Sequence, residues 1–280
     1  MKVRFWGVRG AIATPGTDYL RYGGNTCCTA ITGAQGELVV IDAGTGFCQL
    51  GDALVHGPFG RGQGEMVLLI SHTHWDHLLG LPFPGIIHQP GNRFIICGPD
   101  SARGSLEAIC NGLLSPTYSP VYSLANVGGE QIFQALTSDP FRAGGLTIRA
   151  WPLAYDEATS IRLYRIEEGT QSLVYITDIN YTSPELMDEA ATFAYGATLL
   201  VHSAPYMRNE PIQRYGFCHV EDALYVALQA HVSRLLLFYH APTRTDDQLD
   251  TLLAHYRALL ASQQATLHLD VAREGLVITL

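Results

Sequence analysis

A chain of 280 residues can bury a large core, and with 47% apolar and 15% charged residues it has the make-up of an ordinary folded protein. A net charge of −9 argues against a broad basic surface for long nucleic acids, though bound cations could still reverse the local field for a small anionic substrate. No apolar run reaches the roughly 20 residues of a membrane span, and MKVRFWGVRG lacks the apolar stretch of a secretory leader. The six cysteines (Cys27, Cys28, Cys48, Cys97, Cys110, Cys218) form no CxxC pair and suit reduced thiols, so a cytoplasmic location without membrane contact is expected.

The expected elements begin with strands in KVRFWGV, TCCTAITG and ELVVIDAG, joined at Gly and Pro. MVLLIS at 66–71 reads as a buried strand that delivers His72-Thr73-His74-Trp75-Asp76-His77 into the loop at its carboxyl end. RFIICGP reads as another strand, and SARGSLEAICNGLL as a helix with Ser101 as a candidate N-cap. Residues 115–130, rich in Pro, Tyr and Gly, suit a long surface loop. Strands follow at LTIRAWPL, SIRLYRIE and SLVYITD, then a helix from Pro184, a strand at ATLLVHS and a helix from His219. RLLLFYH is the next strand, TDDQLDTLLAHYRALLAS an amphipathic helix and GLVITL the last strand. Hairpins come first and helices interleave later, with no repeat and no linker. The expectation is a single α/β domain over residues 1–280, two sheets with helices outside.

The HTHWDH stretch carries the chemistry. Four metal-type side chains directly after a buried strand are costly unless something ligates them. His72 and His74, two apart in a loop, can converge on one ion, and Asp76 and His77 on a neighbour; imidazole suits zinc, iron and manganese. Asn25 and Asp42, in GGNT and IDAGTG, are turn-fixing residues, and Asp42 is also a candidate hydrogen-bond partner for a ligand His. On residue type alone, Asp178 in VYITDIN reads equally well as a turn cap, and His240 in LLLFYHAP as a strand-end histidine. His56, His88, His231, His255 and His268 read as ordinary.

The HxHxDH pattern of His72, His74, Asp76 and His77 resembles the signature of the metallo-β-lactamase superfamily, whose fold is a four-layer αββα sandwich. GVRGAIATPG, YGGNTCC and VVIDAGTG are similar to the opening of the branch related to RNase Z and cyclic-nucleotide phosphodiesterases. The resemblance implies that Asp178 bridges two ions and that His240 is the last His ligand, completing a second site of Asp76, His77, Asp178 and His240. It also exposes a gap. The family places a third His of the first site where this chain has Tyr155, in Pro152-Leu153-Ala154-Tyr155-Asp156-Glu157, so Tyr155 or Asp156 becomes the candidate replacement ligand of a weakened first site. Two divalent ions are implied, zinc foremost, with manganese and iron as alternatives. A homodimer is expected on the resemblance alone.

In the related phosphodiesterases a His at a position like that of His219 touches the scissile phosphate, and the start of a helix favours a nearby anion; His219 reads otherwise as a helix cap. The family segment H-D-A-x-Y appears here as His202-Ser203-Ala204-Pro205-Tyr206, so Ser203 replaces the carboxylate expected to orient His219. Tyr118, Tyr122 and Tyr206 are candidates for an aromatic wall, and Arg208 and Arg214 for phosphate contacts. The implied reaction is hydrolysis by metal-activated water, with Asp76 orienting the water and His219 protonating the departing oxygen. A small phosphodiester such as a cyclic nucleotide is the expected substrate. The competitors are a carboxylic ester, thioester or lactone, di-iron redox chemistry, and a catalytically silent ligand-binding protein.

Overall fold

The computed structural model describes residues 1–100, 104–117, 119, 127–136, 140–154, 160–210 and 218–280. Two seven-stranded mixed sheets face each other. The first contains β1 (Lys2–Gly7), β2 (Cys28–Thr32), β3 (Leu38–Ile41), β4 (Glu65–Leu69), β5 (Arg93–Cys97), β6 (Glu130–Gln134) and β14 (Val277–Thr279) in the order β14-β1-β2-β3-β4-β5-β6. The second contains β7 (Phe141–Ala143), β8 (Leu146–Ala154), β9 (Ser160–Glu168), β10 (Gln171–Ile176), β11 (Leu199–Ser203), β12 (Arg234–Phe238) and β13 (His268–Val271) in the order β13-β12-β11-β10-β9-β8-β7.

Strand periodicity explains the layering. Val39, Ile41, Val67 and Leu69 of β3 and β4 meet Leu173, Tyr175, Val201 and Phe238 of the other sheet, forming the central core. Their neighbours one residue away face outward. Val40, Met66 and Leu68 pack on α1 (Gly46–Leu54), α3 (Gly85–His88) and α4 (Leu106–Leu113), with the short α2 (Trp75–Leu78) preceding α3 in the chain. Val174, Ile176, Leu200 and Leu237 pack on α5 (Pro184–Ala194), α6 (Val220–Gln229) and α7 (Asp246–Ser262). Both sheets are therefore buried on both faces, which is why their central strands read as continuous apolar runs. The α/β class and the helix–sheet–sheet–helix order expected from the sequence are present.

Some local expectations are corrected. The N-cap of α4 is Ser105, whose Oγ accepts from the Ala108 N–H at 3.2 Å, and the helix starts at Leu106; Ser101 lies outside the described residues. Helix α1 and strands β6 and β13 were not expected. Glycines at 46 and 51 mask the helical signal of α1, and EQIFQ of β6 is a partly exposed edge strand without apolar alternation. Among the described residues, no helix is long and apolar enough to cross a membrane.

Strand direction positions the site. β3 and β4 are parallel, as are β10, β11 and β12. Their carboxyl ends release Asp42, the Ser71–His77 segment, Asp178, Ser203 and Tyr239-His240.

Candidate metal centre

Four segments meet through buried hydrogen bonds. Asp42, directly after β3, is fully buried. Its Oδ1 accepts the Ser71 N–H at 2.7 Å, and its Oδ2 accepts the Ser71 hydroxyl at 2.9 Å and the Tyr175 hydroxyl at 3.2 Å. The same Oδ2 lies 2.8 Å from His77 Nδ1, which as partner of a carboxylate is the donor. That bond fixes the imidazole of His77 and directs its other nitrogen, Nε2, at the loop ends.

His77 Nε2 is buried and has no hydrogen-bond partner. It stands 3.4 Å from both Asp76 Oδ2 and Asp178 Oδ2. Burial alone would lower the pKa of this ring, but Asp76 and Asp42 overcome it and hold the pKa well above the ordinary histidine value. The position between two carboxylates thus favours a positive charge on or beside the ring. Asp178 is pushed below the usual carboxylate range: burial works the other way, and the imidazoles of His72 and His77 win.

His72, His77 and Asp178 are all buried and each offers a ligand-type atom within 4.8 Å of the others. His72 Nε2 and His74 Nδ1 lie 2.9 Å apart, near the roughly 3.3 Å that two nitrogens span on one tetrahedral zinc. Imidazole nitrogens, carboxylates and an orphaned buried ring nitrogen make a donor set that fits divalent ions such as zinc, manganese or iron.

The expected residues sort as follows. Asp76 is buried, with Oδ2 accepting from the Tyr239 hydroxyl at 2.7 Å and the Ala11 N–H at 2.8 Å. His74 is exposed beside His72. His240 is buried, and its Nε2 donates to the Ala272 carbonyl at 2.7 Å, which leaves Nδ1 as its lone-pair nitrogen; it is not in the His72–His77–Asp178 group. Asn25 bonds Glu274 and Thr45 and so braces turns rather than a ligand. Tyr118, Tyr122, Tyr155, Asp156 and Arg214 lie outside the described residues.

The acid beside His219 comes from another segment. Ser203 does replace a carboxylate after His202, but it receives the Asp178 N–H at 3.1 Å, and His219 has another acid. Asp222 Oδ2 lies 3.1 Å from His219 Nδ1 and accepts the His219 backbone N–H at 3.1 Å, closing a capping box at the start of α6. Arg208 Nη2 donates to the other oxygen of Asp222, so Arg208 serves that carboxylate. The signal was present as His219-x-x-Asp222, the spacing of a capping box. Ser71 and Tyr239 were also missed; each flanks a ligand-type residue, but their roles depend on partners distant in the chain.

Backbone strain gathers here. Ala11, Asp42, Asp178 and Tyr239 have φ of 63°, 63°, 52° and 60°, and they are four of the six left-handed non-glycine residues among the described ones. Such conformations cost on the order of 1–3 kcal/mol each and persist where surrounding structure enforces them.

Burial also pushes neutral histidines down: His72 and His240 to about 3 and His202 to about 4. An imidazole with a folded pKa below its unfolded 6.5 gives its full stabilisation above pH 6.5 and loses it as the pH falls toward the folded value. Each then costs on the order of 1 kcal/mol per pH unit below 6.5. His77, with its raised pKa, is protonated in both states in that window and adds no slope. The metal-free chain is therefore expected to melt at a clearly lower temperature at pH 5 than at pH 7. Equal melting temperatures would contradict the buried neutral state of these rings.

Comparison with known proteins identifies the family and the fold. A family model described as the β-lactamase superfamily domain matches residues 38–240. Ribonuclease Z of Sulfurisphaera tokodaii is 24% identical over 222 residues, covering 66% of this chain and 72% of that protein. Among solved structures, the metallo-β-lactamase fold protein YhfI of Bacillus subtilis superposes with a TM-score of 0.68 at 20% identity, over 99% of this chain and 98% of its own. Zn2+-bound PqqB of Methylobacterium extorquens gives a TM-score of 0.70 at 16% identity, with both chains fully covered. The chain therefore belongs to the β-lactamase superfamily and carries the metallo-β-lactamase fold.

Proposed function

We propose that this protein is a metal-dependent hydrolase of small phosphodiesters, cyclic nucleotides being the model substrates. The observation that carries the reading is His77 Nε2, buried without a hydrogen-bond partner between Asp76 and Asp178. A buried ring nitrogen in that state calls for a cation.

His72, His74, Asp76, His77, Asp178 and His240 would hold two ions, and zinc, manganese and iron all suit the donors. Bound divalent ions supply Lewis acidity toward a phosphoryl oxygen and lower the pKa of water. The chain's own groups do the rest. Asp42 fixes the imidazole of His77 through Nδ1, and Tyr239 and the Ala11 N–H hold Asp76. With Nδ1 engaged by Asp222, His219 keeps Nε2 to carry a proton to the departing oxygen. Support for phosphorus over carbon as the attacked centre comes from kinship with a protein named as a ribonuclease. The net charge of −9 favours a small ester over a long nucleic acid.

The test is a substrate panel on the metal-loaded chain: bis-p-nitrophenyl phosphate, 2′,3′- and 3′,5′-cyclic nucleotides, p-nitrophenyl acetate, a thioester and a lactone. Turnover of the diesters that chelation removes and metal restores is expected. Hydrolysis of the acyl substrates with the diesters untouched would overturn the assignment to phosphorus.

A further inference from the structure

We propose that Tyr239 is a positioning residue that sets Asp76 and His77 for metal before any ion arrives. The proposal rests on the metal-centre reading above and adds a residue from outside the HTHWDH segment, 163 positions from Asp76.

Tyr239 touches both members of the pair. Its hydroxyl donates to Asp76 Oδ2 at 2.7 Å, and the Ala11 N–H, at 2.8 Å from that oxygen, lies 3.2 Å from the hydroxyl oxygen as well. A carboxylate oxygen held by two donors has one orientation, and that orientation keeps it 3.4 Å from His77 Nε2. The ring of Tyr239 stacks on that of His77, with centroids 5.7 Å apart and planes 18° apart, and so limits rotation of the imidazole.

The backbone accommodates this contact at a cost. Tyr239 and Ala11 are both left-handed, and their side-chain and main-chain groups converge on one oxygen. Gly10 leaves the space the ring needs: a Cβ there would sit 2.2 Å from Tyr239 Cε1. Tyr239 is buried, so its hydroxyl would be costly if its only purpose were to fill space. Strain at two adjoining positions, a close approach at a third and a saturated carboxylate oxygen all serve one side chain, Asp76. Groups that orient ligands in this way commonly change metal affinity about 10–100-fold when removed.

The experiment compares wild type, Tyr239→Phe and Tyr256→Phe, each full-length and stripped with chelator. Tyr256 is a matched control: it is buried on α7 and its hydroxyl donates to a carboxylate, Glu221, at 2.6 Å. Zn2+ and Co2+ are titrated calorimetrically, Co2+ also by its visible absorption, and melting curves are recorded. Tyr239→Phe is expected to fold, to bind one ion about tenfold or more weakly, and to shift the Co2+ spectrum, whereas Tyr256→Phe keeps wild-type affinities and spectrum. Unchanged affinity and spectrum in Tyr239→Phe would overturn the proposal, as would an equal loss in both variants. A wild type that takes up no ion would defeat the metal-centre reading itself, and this inference with it; that failure is seen in the wild-type titration alone.

Discussion

Asp178→Ala is expected to lower turnover of bis-p-nitrophenyl phosphate by at least about 10³-fold and to reduce the metal content, while the fold survives. Asp178 is the residue on which both sheets' contributions converge. It follows β10 in the second sheet, yet its Oδ2 lies 3.4 Å from His77, which enters from the first. Its left-handed backbone is held by the Ser203 hydroxyl on its N–H, and Oδ2 accepts the Thr177 hydroxyl at 2.6 Å. Loss of this carboxylate leaves His72 and His77 without their shared anion and would take a ligand from the proposed ions. The cations that this carboxylate would hold are what neutralise charge developing in the transition state, an effect worth several kcal/mol, hence the size of the loss. Asp178→Asn separates charge from shape and is expected to be nearly as damaging. Steady-state kinetics, elemental analysis and circular dichroism together check the prediction. Retained turnover within tenfold, with normal metal content, would remove Asp178 from the centre.

The second large effect concerns His219 and depends on the leaving group. His219→Ala is expected to slow hydrolysis of a cyclic nucleotide by about 10²–10⁴-fold, because a ribose alkoxide is a poor leaving group that needs a proton. With bis-p-nitrophenyl phosphate, whose nitrophenolate leaves unaided, the loss should stay below about tenfold. Asp222→Asn keeps the cap on α6 but removes the negative charge beside His219 Nδ1, and is expected to reproduce the same selectivity in weaker form. Rates for both substrates across the three proteins decide the matter. Equal losses on both substrates would mean that His219 only caps the helix.

Much of the site could be read from the sequence because four ligand-type side chains sit within six residues after a run of apolar strand residues. Burial on both faces of β4 makes that run conspicuous, and the cost of burying unpaired imidazoles gives the motif its meaning. Asp178 and His240 were reachable only because their positions at strand ends resemble a known pattern. The supporting groups were harder. Asp222 stands three residues from His219 and was visible as a spacing, but a capping box says nothing by itself about catalysis. Tyr239 looks like another apolar strand residue beside His240; only the packing of two sheets shows its hydroxyl on Asp76. Ser71 seems a mere lead-in to His72, whereas its N–H and hydroxyl both bind Asp42, 29 residues earlier. Fold-level errors had similar causes: glycines hid α1, and the half-exposed edge strand β6 lacked a period.

In the proposed metal centre, Asp42, His72, Asp76, His77 and Asp178 are held in place before any metal binds. The most direct measurement is the equilibrium metal content of the purified chain, stripped with chelator and reloaded in separate samples with zinc, manganese or iron under reducing conditions. At least one tightly held ion per chain is expected, and two where the first site also fills, with one ion fewer in His77→Ala. Fewer than one ion per chain under all three conditions, or uptake unchanged by that substitution, would contradict it.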